Sequence, residues 1–330
     1  EVKYLSLGVL YKLVKFCDRE LLSQHLAHLV HCLIECLSGL EDSTFNYVEQ
    51  HAGRVGIDKD NLDSLRISAA NSSVVGDMLD RLTTCVDETN LEEVSSKLCG
   101  ILKHGIGTAT CAGAAKFLTS VVIRIRHQIR PMCPMILRAL SISMQKTMNH
   151  SVRRAYAASF AQVVKFADLE TKQVNSLIVG IADSVHEDID NGTTRHVASS
   201  AMFILEICRQ APDVFAEYKS RFLPLAFCMK YLKDSNKSET WSQIWDEGAP
   251  TNSTVVRMYH QDIGYLCLKF LQSDKWDTRR GGSAAIKELV SIGGDFQLTN
   301  VASLFDGLVK LLLPGRYWTG KEEVLEALAL

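Results

Sequence analysis

Phosphate chemistry is the first possibility that the order of residues raises. Gly315-Arg316-Tyr317-Trp318-Thr319-Gly320-Lys321-Glu322 spaces two glycines and a lysine as a phosphate-cradling loop does, where backbone N–H groups surround the phosphates and the lysine neutralises them. Such a loop then needs a hydroxyl to hold Mg²⁺, and Glu322 puts a carboxylate there, close to where phosphate charge would lie. A strand should precede the loop, yet residues 304–313 have helical spacing. The expected structure is a turn between helices, with Glu322 and Glu323 favouring the N-terminal end of the second.

A metal is the next possibility, because His25, His28, His31, Cys32 and Cys36 crowd one helical stretch and neighbours three and four apart share a face. Their angular positions diverge from a common centre. The apolar stripe is Leu22, Leu26, Leu29, Leu33, Leu37 and Leu40; Cys32 and Cys36 flank it, and His28 and His31 face away. No Cys-x-x-Cys pair completes a site, so buried thiols and exposed imidazoles are expected, with no metal and no cofactor. No Ser/His/Asp, Cys/His or paired-carboxylate arrangement has a context that favours catalysis. The sequence reads as that of a non-enzyme with no catalytic residue.

Two groups suit binding instead. Trp241 and Trp245 lie four apart in Glu239-Thr240-Trp241-Ser242-Gln243-Ile244-Trp245-Asp246, so a short helix would put both indoles on one face. They are candidate partner-binding residues, against the alternative that they fold back onto their own chain. Arg124, Arg126, His127 and Arg130, then Arg153 and Arg154, are basic groups that could line one edge for an acidic protein; the plainer reading is a solvated or ladder-forming set.

The elements that must position these residues are helices. Apolar residues make up 47% of the 330, charged residues 22%, and prolines number six; apolar spacing of helical period recurs throughout. A net charge of −2 offers no field to gather a polyanion, which argues against nucleic acid. No apolar run reaches the roughly 18 to 20 residues that cross a bilayer, so no membrane insertion is expected. Ten cysteines sit in apolar helical stretches, as at Cys99, Cys133, Cys208 and Cys267. They are expected to be thiols in a reducing compartment, which outweighs the chance sequons at Asn71, Asn191, Asn236 and Asn252.

Self-similarity sets the architecture. Helical segments begin near Leu91, Pro131, Thr171, Glu217, Thr254 and Leu298, about 40 residues apart, and most are followed by a turn and a second helix. In one unit Cys133, Ile136, Leu137, Leu140 and Met144 form an apolar face, and after a turn Val152, Ala155, Tyr156, Phe160, Val163, Val164 and Ala167 form another. The next unit repeats this with Val174, Leu177, Ile178, Ile181 and Val185, then Val197, Ala201, Ile204, Leu205 and Cys208. Neither helix of a pair can bury its face alone, and stacked pairs bury one core.

The class is therefore all-α, an α-solenoid of HEAT-type helix pairs. The expected divisions are HEAT-like helices over residues 1–40, an irregular linker or degenerate repeat over 41–63, and HEAT repeats over 64–232. A polar Trp-containing insertion over 233–254 and HEAT repeats over 255–330 follow. The array is expected to continue beyond both ends, exposing apolar surface there. Asn149 with Arg153, Asp190 with Arg195, and Asp274 with Arg279 match a HEAT habit in which a turn Asp or Asn pairs with a helix-start Arg, making a polar ladder; the alternative is ordinary solvated helix ends. Pro134 and Pro224 are expected to kink first helices.

Phe222-Leu223-Pro224-Leu225-Ala226-Phe227, Thr240-Trp241-Ser242-Gln243-Ile244-Trp245-Asp246-Glu247 and Arg316-Tyr317-Trp318-Thr319-Gly320-Lys321-Glu322-Glu323 resemble, in order and separation, the C-terminal half of a known family. It is the large HEAT-repeat proteasome adaptor and scaffold family named extracellular-mutant-twenty-nine, and Leu98-Cys99-Gly100-Ile101-Leu102-Lys103-His104-Gly105-Ile106-Gly107 resembles it further upstream. The resemblance implies a cytoplasmic and nuclear scaffold that bridges the proteasome's core and regulatory particles and links them to quality control. It assigns no contact residue. Another giant HEAT scaffold, of the translation-control activator or nuclear transport receptor type, is the alternative.

Overall fold

The computed structural model describes residues 2–39, 43–55, 58–232, 235–293, 300–312 and 320–330, and among them there is no strand. The chain divides into two compact units, Glu1–Leu177 and Ile178–Leu330.

In the first unit the order is α1 (Val2–Phe16), α2 (Arg19–Gln24), α3 (Leu26–Gly39), α4 (Ser43–Val55), α5 (Lys59–Asn71), α6 (Val74–Thr83), α7 (Leu91–His104) and α8 (Thr108–Ile125). A 3₁₀ segment, Arg126–Met132, leads to α9 (Cys133–Lys146) and α10 (His150–Phe166), and α11 (Lys172–Asp190) begins in this unit and ends in the second. First helices pack on first helices, α3 on α7 and α7 on α9, while α8 packs on α10. The contact of α3 with α7 passes over α4, α5 and α6, of which α5 and α6 lie against α8.

Side chains dictate this stacking. Ile136, Leu137 and Leu140 of α9 and Phe160, Val163 and Val164 of α10 are wholly buried, and burial stabilises by about 1.5–3 kcal/mol for each large apolar side chain. Gly113 lets α8 approach α3: a Cβ there would lie 2.3 Å from Leu37 Cδ1. Much of α8 is apolar enough to resemble a membrane span, contrary to the sequence expectation. It is a core helix, with Ala112, Ala115, Phe117, Leu118, Val121 and Val122 all buried.

The second unit continues with α12 (Val197–Gln210), α13 (Pro212–Met229), α14 (Ser235–Gly248), α15 (Asn252–Gln272), α16 (Trp276–Gly293), α17 (Val301–Leu312) and α18 (Lys321–Leu328). Here α13, α15 and α17 pack in succession, α14 lies on α12 and α13, and α16 lies on α15 and α18. First helices begin at residues 91, 133, 172, 212, 252 and 301, so the period of about 40 residues is that of HEAT-type pairs.

Several expectations change. The stretch expected over 41–63 as an irregular linker or a degenerate repeat holds α4 and the start of α5, and the polar insertion expected over 233–254 is largely α14, a regular second helix. Polar composition masked both, because each hides only part of its surface. Pro134 occupies the first turn of α9, where a missing N–H costs nothing, rather than kinking a helix interior. α13 runs on through Pro224 to Met229. A kink falls instead at Tyr259 of α15, at φ −112° and ψ 16°. α1 shows Leu5, Val9, Leu13 and Phe16 to solvent, and α17 shows Val301 and Phe305.

Candidate partner-binding surface

Trp241 and Trp245, candidate partner anchors with folding back onto their own chain as the other reading, are buried at 0% and 1% exposure. Helix α14 turns both indoles inward. The Trp245 ring meets Phe227 edge-on at 5.0 Å between centroids, and its N–H donates to the Asn252 side chain. Lys230 sits over Phe227, Tyr231 and Trp245 at 4.6, 5.1 and 5.1 Å and donates to Glu288 at 2.9 Å. A cation held by three rings and a carboxylate fastens α13 to α14 and α16 from within. These tryptophans are core residues and offer no surface to a partner.

The proposed ladder is also redrawn. Asn149 does not meet Arg153: its Oδ1 accepts from Val152 N at 3.0 Å, capping α10, and its Nδ2 donates to Asp63 Oδ2 at 2.7 Å. With both ends of the amide taken, Arg153 reaches back and donates from Nε to the Thr147 carbonyl at 2.7 Å. Arg279 repeats the same reach from Nε to the Ser273 carbonyl, six residues earlier. Each guanidinium thereby satisfies a carbonyl left over where the preceding helix ends. Asp190 pairs with Lys269 at 2.6 Å rather than with Arg195. Arg195 and Asp274 are exposed and make no ion pair among the described residues.

The sequence reading passed over the carboxylate that does organise the turn before α12. Asp188, 3% exposed, accepts from the backbone N–H of His196 and Val197 at 2.6 and 3.2 Å and from the Thr193 hydroxyl. Its signal was the acidic run ending α11 followed by two threonines, and Asp190 drew attention because it lies nearer to an arginine in sequence.

The residues weighed for phosphate and metal chemistry find other partners. Residues 315–319 lie outside the described residues. Of the rest, Gly320 stands at φ +93°, its N–H is taken by Glu322 Oε2 at 3.1 Å, and Lys321 Nζ donates to the Leu312 carbonyl at 3.2 Å. In the His/Cys stretch the chain turns at His25 between α2 and α3. His31 faces Glu35 at 3.5 Å and His28 faces Cys32 at 3.8 Å. Cys32 and Cys36 are exposed rather than buried, because the buried face of α3 follows Leu26, Val30, Leu33 and Leu37. Among the described residues no three His, Cys, Asp or Glu gather as metal ligands.

None of the ten cysteines is in a disulfide. Burial pushes the thiols of Cys99 and Cys208 up to about 11 and that of Cys133 up to about 12. Thiols held that far from thiolate are inert packing groups.

The basic set divides. Arg124 donates to the carbonyls of Thr83 and Val86, closing the end of α6. His127 and Arg130 border a groove of about 780 Å³ that also carries Glu88, Glu92 and Asp168. Arg153 and Arg154 begin α10, at the other end of the helix pair, so the six groups do not form one edge. Between the turns joining α7 to α8 and α9 to α10 lies a second groove, of about 350 Å³, whose lining includes Lys103 and Lys146 and no carboxylate.

The family model for the HEAT-repeat domain of the proteasome adapter and scaffold protein ECM29 matches residues 22–186. The chain is 28% identical over its whole length to the human proteasome adapter and scaffold protein ECM29. It is 26% identical over 99% of its length to the Schizosaccharomyces pombe proteasome component ecm29, and 23% identical over 99% to proteasome component ECM29 of Saccharomyces cerevisiae. It spans only 18%, 19% and 17% of those relatives' own lengths.

Proposed function

The chain belongs to the family of HEAT-repeat domains of proteasome adapter and scaffold protein ECM29, and from that premise we propose that it is part of a non-catalytic adaptor that binds the proteasome. The observation that carries the reading is the match along the whole chain to relatives named as proteasome adapter, scaffold and component. The physical form suits the role. Stacked helix pairs spend their apolar faces on one another and leave turns and outer helix faces free to meet partners. A bridge between core and regulatory particles, linked to quality control, is the specific function proposed. Its ten thiols, free of disulfides, support a reducing compartment, the cytoplasm and nucleus.

Affinity capture of the tagged full-length protein from cell extract tests this. Core and regulatory-particle subunits should co-purify well above a mock capture. Their absence, with ribosomes or nucleoporins in their place, would transfer the chain to another class of HEAT scaffold.

A further inference from the structure

Ile106 and Met148 are 87% and 85% exposed, more than any other large apolar side chain among the described residues. Each occupies the tip of a turn, between α7 and α8 and between α9 and α10. Mobile tips often carry stray apolar residues, but these two are held in place. Gly107 stands at φ +94°, and a Cβ on it would come within 2.2 Å of Ser38 Oγ; Ser38 Oγ in turn accepts from Thr110 N at 3.0 Å and Thr110 Oγ1 at 2.9 Å. The second turn is secured by Arg153 on the Thr147 carbonyl and by Asn149 on Asp63. Arg153 Nη2 also lies 3.6 Å from Met148 Sδ. Rigid backbones thus hold two large apolar side chains in water, and ordered apolar groups lose little entropy when covered.

The groove between these turns is lined by Lys103, Lys146 and the polar groups of Thr108, Ser143 and Asn149, and by Gly105, Gly107 and Thr147, the chain neighbours of Ile106 and Met148. His104, His150, Arg153 and Arg154 stand beside it in sequence. Among the described residues no ion pair engages Lys103, Lys146 or Arg154. A chain of net charge −2 therefore gathers cations on one edge, whereas the larger groove mixes both signs.

We propose that this turn edge of the first unit docks an extended acidic segment of a partner protein, with aliphatic side chains interspersed among the carboxylates. Ile106 and Met148 cover the segment's aliphatic groups, and Lys103 and Lys146 meet its carboxylates. A nucleic acid suits the edge less well, because the groove's one aromatic ring, Tyr156, is buried and bases have no exposed ring to stack on. The inference stands on the geometry of this edge and does not depend on the proteasome being the partner.

The test titrates the 330-residue chain into a fluorescein-labelled peptide of alternating aspartate and leucine, followed by anisotropy. Binding should saturate and weaken with salt, and should fall about tenfold or more in the pair Lys103→Glu/Lys146→Glu and again in Ile106→Ser/Met148→Ser. The pair Arg130→Glu/Lys172→Glu, carrying the same charge change away from this edge, should bind as the parent does. Circular dichroism confirms that each variant is folded, and Lys103→Gln/Lys146→Gln repeats the test without reversing charge. Absence of binding would overturn the proposal, as would equal affinity for a lysine–leucine or serine–leucine peptide. Equal losses in the control pair, or an oligothymidylate that displaces the peptide through the same lysines, would overturn it too.

Discussion

Asn149 joins Asp63 across 86 residues of sequence, its amide donating to the carboxylate at 2.7 Å. One side chain thus caps α10 and holds α5 against it. Asp63 is 3% exposed and lies 3.7 Å from Arg66, which in turn bonds Glu49 at 2.9 Å and Asn46 at 3.2 Å. The chain between α3 and α7 is tied into the stack by these polar contacts, buried at Asp63 and Arg66 and open to solvent at Asn46 and Glu49.

Removing the amide should therefore cost more than a helix cap. Asn149→Ala is expected to destabilise by about 2–3 kcal/mol, the cap plus a buried bond to a carboxylate. In double-mutant cycles read by urea denaturation, Asn149 and Asp63 should couple by more than about 0.5 kcal/mol. Asn149 and Arg153 should couple by less, since Arg153 bonds a backbone carbonyl. A strong Asn149–Arg153 coupling would restore the ladder.

The tryptophans behave as core. Trp245→Ala should cost about 3–5 kcal/mol, and Trp245→Phe clearly less, because the ring contact with Phe227 and the face offered to Lys230 are retained. Thermal unfolding followed by circular dichroism ranks the two. Tolerance of the alanine would mean that α14 is not packed as described.

His186 confers a pH dependence on the second unit. Its burial, and then the Lys269 ammonium, hold the imidazole below its ordinary value of about 6.5; Arg221 acts in the same sense, while Asp183 and Asp190 oppose. A base whose folded value is depressed binds fewer protons folded than unfolded. Its contribution is complete above about pH 6.5 and is lost as pH falls below that. Urea midpoints should decline between about pH 7.5 and pH 5.5, and His186→Gln should decline less. Parallel profiles would remove His186 as the cause.

Thiol labelling should separate the cysteines by burial. Cys32 and Cys36, exposed on α3, should react with iodoacetamide in the folded chain, whereas Cys133, Cys228 and Cys267 should react only after denaturation. The last two face each other, with Sγ atoms 3.9 Å apart, and burial raises the Cys228 thiol well above its ordinary range. Mass spectrometry of the labelled peptides reads the order, and early labelling of Cys228 would contradict the packing of α13 on α15.

Apolar spacing alone is enough to locate the first helices from α7 onward and the pairs α9 with α10 and α11 with α12. Ile136, Leu137 and Leu140 repeat at three and four residues because one helical turn takes about 3.6, and that relation is local. Where apolar spacing is diluted the period is harder to follow: α4, with Tyr47 at 64% exposure, reads as either a linker or a degenerate repeat, and α14, with Glu239, Asp246 and Glu247 outward, reads as an insertion. Glu322 and the helical spacing of residues 304–313 both argue against a phosphate loop at Gly320 and Lys321, and the structure gives the Glu322 carboxylate the Gly320 amide.

What the sequence by itself determined is the class, the period and the inward faces of the repeats, since each follows from which residues lie a turn apart on one helix. The tertiary structure decided the rest: that Asn149 answers to Asp63 rather than to Arg153, that Trp241 and Trp245 are covered, and that Ile106 and Met148 are not. A polar or aromatic residue near a turn has several partners within reach, and only the packing of distant helices chooses among them, because burying an unpaired polar group costs more than forming the bond gains. For the same reason exposure belongs to the stack and not to the residue. Ile106 is as apolar as Ile136, and they differ because no neighbouring helix covers the first.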